Sequence, residues 1–370
     1  MKRWGLFFLI LFAACAKPGN EIAIGEFGSL TGGTATFGRS THEGIMLASD
    51  EVNLAGGLLG KKIHIYTEDD RSLAEEAKTA VLKLIKQQRV VALIGEVASS
   101  RSLAAAPEAQ KSQIPMISPA STNPQVTLTG DYIFRACFID SFQGEAMGHF
   151  ARENLKLGKV AVLKDIRNDY SVGLADFFTQ TFSALGGVIS SAQSYSEGDT
   201  EFRAQLTSIL AKQPDGIFIP GYYTEVGLIA RQARELGFKG PLFGGDGWDS
   251  EKTIEIGGQA MDGNYFSTHY AGDDPSPLVQ NFISKFKTKY GHAPDAMAVL
   301  GYDAANILFD AIRRAQSVAG PQIRDALATT KNFQGVSGAI TINKYRNAEK
   351  RLVILKIENG AFKFADSVLP

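Results

Sequence analysis

The sequence predicts an α/β protein built from two doubly wound parallel-sheet units. Apolar runs alternate with segments of helical spacing, and this alternation occurs in two successive series. Parallel strands are buried on both faces and therefore have continuous apolar sequences, and strand–helix alternation favours right-handed crossovers between them. The chain has 370 residues, a length that suits two domains better than one.

The predicted elements follow one another in chain order. The first series runs from about residue 21 to 140 and the second from about 141 to 268. Three helices and two short stretches of strand come after the second series. The apolar runs that predict strands lie at 22–24, 90–94, 115–118, 160–163, 217–219 and 241–243; the later helices are predicted at 276–290, 295–315 and 321–329, and the last strands near 338–342 and 352–364.

The N-terminus predicts export and a lipid anchor. A basic pair precedes an uncharged apolar run at 4–14, which is too short to span a bilayer and has the layout of a signal peptide. The residues before Cys15 resemble the bacterial lipobox, although Phe12 stands where that pattern prefers Leu. Residues 1–14 would then be removed, Cys15 would carry a diacylglyceryl group, and 15–20 would form a lipidated tether. The alternative is an ordinary signal peptide with an incidental cysteine.

Composition and motifs argue against nucleic-acid binding and catalysis. The net charge is −1, from 38 basic and 39 acidic residues, so the chain does not attract phosphate backbones in bulk. It lacks a Gly-x-Ser-x-Gly elbow, a P-loop and a His-Glu-x-x-His motif. The five histidines have no ligand spacing and are expected at surface or helix positions. We predict a protein that is not an enzyme and has no metal, cofactor or nucleic-acid partner.

A cysteine and a pair of aspartates in the sequence are further candidates for a catalytic role. Cys137 lies in an apolar run, which predicts a buried thiol and not a nucleophile. Asp69 and Asp70 end the second predicted strand, where a solvated strand end is favoured over a pair of catalytic carboxylates.

Hydroxyl, aromatic and acidic side chains follow the predicted strands at the point where each strand ends. In doubly wound sheets, ligands bind at the carboxyl ends of strands, where helix N-termini also point. One edge of the protein is therefore expected to bind a small polar molecule. The residues concerned are Ser99, Ala120, Ser121, Thr122, Tyr170, Tyr222, Asp246 and Trp248.

The chain resembles the bacterial leucine/isoleucine/valine-binding proteins, which are the amino-acid receptors of ABC importers. The resemblance covers residues 21–345. It implies the type I periplasmic binding protein fold, with two α/β lobes joined by a three-crossing hinge and the ligand between them. The lobes would comprise 21–140 with 269–341 and 141–268 with 342–370. The motifs that carry the resemblance are IGEFGSLTG at 24–32, AGGLLG at 55–60, EDD at 68–70, PMISPAST at 115–122 and GGDGW at 244–248.

The resemblance implies roles for the first-lobe residues of the site. Ser99 matches a hydroxyl residue that contacts the ligand carboxylate. Ala120 and Thr122 match residues that hold the carboxylate and ammonium through backbone and hydroxyl groups, with Ser121 between them. No arginine is needed, because hydroxyls and N–H groups at a helix N-terminus suit a carboxylate.

The resemblance also implies roles for second-lobe residues and for the pocket that takes the ligand side chain. Tyr170 and Tyr222 match aromatics that close over the ligand, and Asp246 matches an acid that pairs with the ammonium, a glutamate in the family prototype. The apolar walls are completed by Phe37, Trp248 and Met297, of which Phe37 replaces a tyrosine and Met297 a phenylalanine; Ser72 and Ala98 replace the prototype's disulfide cysteines.

Each assignment has a purely structural alternative. The hydroxyl residues Ser99 and Thr122 would only cap helices. Asp246 would be a solvated loop acid, Tyr222 and Trp248 would be core aromatics, and Met297 would only pack within its helix.

We therefore predict an exported solute-binding lipoprotein of an ABC importer, in the cell envelope or periplasm. It would capture an amino acid, with Leu, Ile or Val preferred, by lobe closure. Its partners would be permease and ATPase subunits, because the chain itself has no ATP site. One alternative is the same scaffold binding an amide, a urea derivative or an aromatic acid, or serving a sensor. The other is a structural envelope lipoprotein with a vestigial cleft.

Overall fold

Alternate residues of the central strands enter different cores, as expected for strands that are buried on both faces. The structure, a computed structural model, describes residues 21–370 and contains two lobes built on mainly parallel sheets. In the first lobe, Ile94 packs with Ile45 on one face of the sheet, whereas Leu93 packs with Ala77 on the other. Helices therefore cover both faces, which is the doubly wound arrangement.

The first lobe begins with a strand–helix series whose strands all pair in parallel. The order in its five-stranded sheet is β2-β1-β3-β4-β5. Because the order reverses at β1, a crevice for ligands is expected at the carboxyl ends of β1 and β3. The elements are β1 (Glu21–Gly28), α1 (Ala35–Leu54), β2 (Lys62–Asp69), α2 (Ala74–Lys83), β3 (Ala92–Ile94), α3 (Ser99–Lys111), β4 (Met116–Ser118), α4 (Gln125–Leu128) and β5 (Ile133–Arg135).

The second lobe repeats this pattern. Its strands β6 to β10 pair in parallel with their neighbours. Asp246–Trp248 form a single 3₁₀ turn one residue after β9. The elements are α5 (Asp140–His149), β6 (Lys159–Asp165), α6 (Asp169–Ala184), β7 (Val188–Tyr195), α7 (Arg203–Leu210), β8 (Gly216–Phe218), α8 (Tyr223–Glu235), β9 (Leu242–Gly244), α9 (Glu251–Gly257) and β10 (Tyr265–Thr268).

The rest of the chain returns to the first lobe and then ends in the second. A hairpin of two antiparallel strands extends the second sheet, whose order is β15-β14-β10-β9-β8-β6-β7. A small antiparallel sheet of order β11-β12-β13 packs on the first lobe. The elements are α10 (Pro277–Tyr290), α11 (Ala296–Ala315), α12 (Gly320–Ala328), β11 (Phe333–Gly335), β12 (Gly338–Ile342), β13 (Ala348–Glu349), β14 (Leu352–Glu358) and β15 (Ala361–Val368).

Two glycines let α1 and α11 approach closely. A Cβ atom added to Gly44 would lie 2.0 Å from the carbonyl oxygen of Ala298, and one added to Gly301 would lie 2.4 Å from that of Thr41. Both distances are far below a van der Waals contact, so a side chain at either position would require the helices to move apart. Backbone contacts at these glycines therefore determine the distance between α1 and α11.

The predicted α/β fold with two doubly wound lobes is confirmed. The chain crosses between the sheets after β5, after β10 and after β13. Because β13 pairs with β12, the third crossing follows Glu349 and not residue 341, where the sequence analysis places it. We keep the boundaries after 140 and 268 as a proposed division of the chain. The predicted signal peptide, tether and Cys15 lie outside the described residues.

Candidate functional site

A small cavity lies between the lobes at the carboxyl ends of the strands. Its lining atoms enclose about 230 Å³ free of protein atoms, a figure that includes the open space at its mouth. Its lining consists of Phe37, Val97, Ser99, Ala120, Thr122 and Met297 from the first lobe and Tyr170, Tyr222, Asp246 and Gly247 from the second.

The first-lobe wall presents a hydroxyl at the start of a helix. Ser99 is the first residue of α3, and its Oγ accepts a hydrogen bond from the backbone N–H of Asn123 at 3.1 Å. The hydroxyl hydrogen of Ser99 therefore remains available as a donor. Together with the free N–H groups of the first helical turn, it forms a site with affinity for an anion.

Arg135 holds the loop that carries Ala120 and Thr122 from the side that faces the protein interior. This fully buried guanidinium donates to the carbonyl oxygens of Ser121 and Asn123, and Ser121 Oγ lies 2.7 Å from Ser102 Oγ. The Ser121 hydroxyl thus points into the protein, and this residue does not line the cavity. Its predicted contact with the ligand is corrected for this reason.

Three aromatic rings meet at the cavity, Tyr170 and Tyr222 from the second lobe and Phe37 from the first. Tyr170 and Tyr222 stack with ring centroids 5.5 Å apart and an interplanar angle of 6°, and Phe37 meets Tyr222 edge-on at 5.5 Å and 86°. Asn168 caps α6 by accepting from the N–H of Tyr170 at 3.0 Å, which fixes the first turn of the helix and with it the position of Tyr170. Burial raises the pKa of both tyrosines, so both stay neutral and add no charge to the wall.

Asp246 is the acid of this cavity. Its side chain is almost fully buried. Its Oδ1 accepts a hydrogen bond from Gln143 Nε2 at 2.9 Å, and its Oδ2 lies 3.1 Å from His269 Nε2. Asp246 is therefore not a solvated loop acid, since both of its oxygens are bound inside the protein.

Trp248 lies away from the cavity, in the core of the second lobe. Its ring is fully buried and stacks near Phe266, and its indole N–H donates to the carbonyl oxygen of Ile219 at 2.9 Å. The prediction that Trp248 forms a wall of the pocket is corrected. A large apolar ring with one N–H group is well satisfied at this place, because a buried carbonyl accepts that hydrogen.

Two more expectations about single residues meet different outcomes. His269 is fully buried, so the expectation of surface or helix positions is wrong for this histidine. Cys137 is fully buried with a free thiol, and burial raises the pKa of that thiol to about 12. It is thus a structural thiol, as expected.

The lobes contact each other around the mouth of the cavity. Arg101 Nη2 lies 3.2 Å from Glu197 Oε1, the Tyr223 hydroxyl donates to the carbonyl oxygen of Gly33 at 3.0 Å, and the N–H of Asp169 donates to Ser100 Oγ at 2.9 Å. Each contact joins a residue of one lobe to a residue of the other. The structure is therefore the closed arrangement of the cleft.

Sequence reasoning missed several residues of this region. Val97 and Gly247 line the cavity beside residues that were predicted, and their positions next to Ser99 and Asp246 could have indicated them. Gln143 and His269 gave no local signal, because they are 103 and 23 residues from Asp246 along the chain.

Among residues 21–370, no helix combines the length and the apolar character needed to cross a bilayer. In the same range, no three or more His, Cys, Asp or Glu side chains come together as ligands for a metal ion.

Comparison with known proteins agrees with this geometry. Residues 21–361 match the periplasmic binding protein family. A leucine-binding protein from Thermotoga maritima is 43% identical, with 94% of this chain and 99% of that chain covered and a TM-score of 0.91. The substrate-binding protein LivJ of a branched-chain amino acid transporter from Streptococcus pneumoniae, solved with isoleucine, is 33% identical, with coverages of 95% and 100% and a TM-score of 0.90.

The sequence comparison gives the same result. An amino acid binding protein from Pseudomonas aeruginosa is 31% identical over 287 residues, which are 76% of this chain and 75% of that protein. The resemblance to leucine/isoleucine/valine-binding proteins is thus confirmed, and the chain belongs to the periplasmic binding protein family.

Proposed function

We propose that the protein captures an α-amino acid with an aliphatic side chain, Leu, Ile or Val, between its lobes and delivers it to an ABC importer. The observation that carries the proposal is the lining of the closed cavity. It combines hydroxyls at a helix N-terminus, one buried acid, and aromatic and aliphatic walls, with no basic side chain among the lining residues.

The two charged groups of an amino acid would find separate partners in this cavity. The carboxylate would accept from Ser99, Thr122 and the first-turn N–H groups of α3, where the partial positive charge of the helix favours an anion. The ammonium would donate to Asp246, the acid of the lining. A free amino acid therefore fits better than a neutral amide, which would leave the charge of Asp246 without a counter-ion.

The side chain of the ligand would meet apolar surfaces only. Phe37, Met297 and Val97 offer aliphatic and aromatic contacts, so each buried CH₂ of the ligand contributes about 0.8 kcal/mol. A glutamate side chain would be buried without a positive partner, and the cost of several kcal/mol would exclude it. A lysine side chain would have only aromatic faces beside its charge.

Similar proteins support this choice of ligand. The protein from Thermotoga maritima is described as leucine-binding, and LivJ from Streptococcus pneumoniae was solved with isoleucine. A relative from Pseudomonas aeruginosa that is 26% identical is described as binding leucine, isoleucine, valine, threonine and alanine. The ligands of these relatives favour branched-chain amino acids over other amino acids as the proposed ligand.

The mechanism we propose is capture by closure. Ser99 and Thr122 belong to the first lobe and Tyr170, Tyr222 and Asp246 to the second, so a ligand that bridges them favours the closed population by its differential affinity. A permease would then recognise the closed form, and its ATPase partner would supply the energy of transport.

Competition binding tests the proposal. With labelled leucine bound to the purified chain, Leu, Ile and Val should displace the label at concentrations at least about tenfold lower than Glu or Lys, a gap of about 1.4 kcal/mol. Displacement by Glu or Lys as effective as that by Leu would contradict the proposed lining. Preferred binding of benzoate or of a neutral amide would favour the alternative ligands, and no binding of any of these would favour a structural protein.

Location in the cell is part of the same proposal. We place the mature protein outside the cytoplasm, tethered by a lipid on Cys15, because a receptor for an importer must meet its ligand there. Acyl chains contribute about 0.8 kcal/mol for each buried CH₂, and more than one chain is needed for a stable anchor.

A further inference from the structure

Asp246, the acid of the cavity, is bound by two neutral side chains that do not line the cavity. Gln143 Nε2 donates to Asp246 Oδ1 at 2.9 Å, and His269 Nε2 lies 3.1 Å from Asp246 Oδ2. All three residues are at most 3% exposed. Each carboxylate oxygen has a second lone pair, so these contacts leave acceptor capacity on the cavity side of Asp246.

His269 is fixed by the hinge and not by the cavity. It directly follows β10, at the second crossing between the lobes, and its ring stacks on Phe138 with centroids 3.8 Å apart and an angle of 23°. Phe138 lies between β5 and α5, at the first crossing. The imidazole is thus carried by one hinge segment and packs on the other, and its Nε2 faces Asp246.

The charge state of His269 follows from its surroundings. Full burial lowers the pKa of the imidazole to about 4, so the ring is neutral at neutral pH. Because a carboxylate oxygen only accepts, Nε2 must carry the hydrogen, and the remaining Nδ1 has no hydrogen-bond partner among the described residues. His269 is therefore a neutral donor whose one polar contact is Asp246.

A neutral donor acts differently from a cation at this place. A lysine or arginine bound to Asp246 would offset the negative charge that a ligand's ammonium requires. Gln143 and His269 fix the position of both oxygens and leave the full charge in place. The carboxylate is then oriented before the ligand arrives, so less ordering is needed on binding.

We propose that His269, together with Gln143, is a positioning residue that orients Asp246 and thereby determines the preference for ligands with an ammonium group. The proposal rests on the function proposed above, in which Asp246 meets that ammonium. Two donors hold the aspartate in the direction of the cavity.

The test compares leucine with its des-amino analogue, 4-methylpentanoate, by titration calorimetry on the full mature chain. His269→Leu removes the donor and should weaken leucine binding about tenfold or more, in line with a lost hydrogen bond to a charged group. It should leave the much weaker binding of 4-methylpentanoate unchanged. His269→Gln, whose amide can again donate to Asp246, should restore most of the leucine affinity.

A matched control separates positioning from general loss of structure. Gln232→Leu removes one partly buried and one buried hydrogen bond of the same lobe, from Gln232 Nε2 to the carbonyl oxygen of Thr200 at 2.9 Å and from the N–H of Phe202 to Gln232 Oε1 at 2.7 Å. It should lower the melting temperature and leave the leucine affinity unchanged. If His269→Leu does not fold, Gln143→Leu tests the donor on the other oxygen in the same way.

The outcomes distinguish this inference from the function on which it rests. Asp246→Asn should weaken leucine binding roughly tenfold to a hundredfold, and if it has no effect, the proposed ammonium site itself is wrong. If Asp246→Asn weakens binding while His269→Leu binds leucine like the wild type, only the positioning role is wrong. Equal losses for leucine and 4-methylpentanoate in His269→Leu would also overturn that role.

Discussion

A hydroxyl between two buried acids makes the stability of the first lobe depend on pH. Ser29 Oγ lies 2.7 Å from Asp70 Oδ1 and 2.9 Å from Glu96 Oε1. A hydroxyl donates only one hydrogen, so one of the two carboxyl groups must carry a proton for both contacts to be hydrogen bonds. Burial, followed by the neighbouring Asp70, raises the pKa of Glu96 to about 8. Asp70 is fully buried, which corrects the expected solvated strand end.

The sign and size of the effect follow from linkage. Glu96 in the unfolded chain ionises near pH 4.5, so between about pH 4.5 and pH 8 the folded protein holds a proton that the unfolded chain has released. The stability contributed by the protonated group therefore falls as the pH rises through this window, by about 1.4 kcal/mol per pH unit. From pH 5.5 to pH 7.5 the loss is about 2–3 kcal/mol.

The substitution Glu96→Gln keeps the shape and removes the titration. Urea unfolding at pH 5.5, 6.5 and 7.5 gives the free energy of unfolding of the wild type and the variant. The variant should gain about 2–3 kcal/mol relative to the wild type across this range. The difference between the two proteins cancels buried groups that lie away from Glu96, such as His269, which titrate in both. Glu145→Gln, at an exposed position on α5, is the control and should keep a constant offset from the wild type. A constant offset for Glu96→Gln as well would refute the shared proton.

Two other predictions concern closure and anchoring. Glu197→Gln removes the ion pair with Arg101 across the mouth of the cavity; because Glu197 is 37% exposed, leucine affinity should fall only about twofold to fivefold at low salt and should match the wild type near 1 M salt. Unchanged calorimetry at low salt would show that this contact does not stabilise the closed form. Cys15→Ala should release the protein from membranes or leave it unprocessed, and a wild-type chain that partitions wholly into the aqueous phase of a detergent extraction would contradict the lipid anchor.

Much of the fold could be predicted because it depends on local patterns. Buried parallel strands have continuous apolar sequences, so most central strands and the helices after residue 276 were recognisable. The positions directly after strand ends could also be predicted, and Ser99, Thr122, Tyr170, Tyr222 and Asp246 do line one cavity. The topology alone brings these positions to the same edge, whatever their distance along the chain.

The remainder depends on tertiary contacts that no local pattern reveals. Trp248 is two residues from Asp246, but its ring turns into the core because the carbonyl of Ile219 accepts its N–H there. Ser121 lies between two cavity residues, and its hydroxyl faces the opposite way, towards Ser102. His269 is buried because the second hinge crossing passes behind the acid, which depends on the packing of Phe138.

The close contact between α1 and α11 has a consequence for how ligand choice changes in evolution. Phe37 lies two helical turns from Gly44, and Met297 lies one turn from Gly301, so the backbone contact sets the gap between two side chains of the pocket. We expect Gly44→Ala to wedge the helices apart, widen that gap and shift the preference from valine towards leucine in competition binding; an unchanged ratio of the two affinities would argue against this. Relatives with identical cavity linings would then differ in the length of side chain they accept, through a residue that never contacts the ligand.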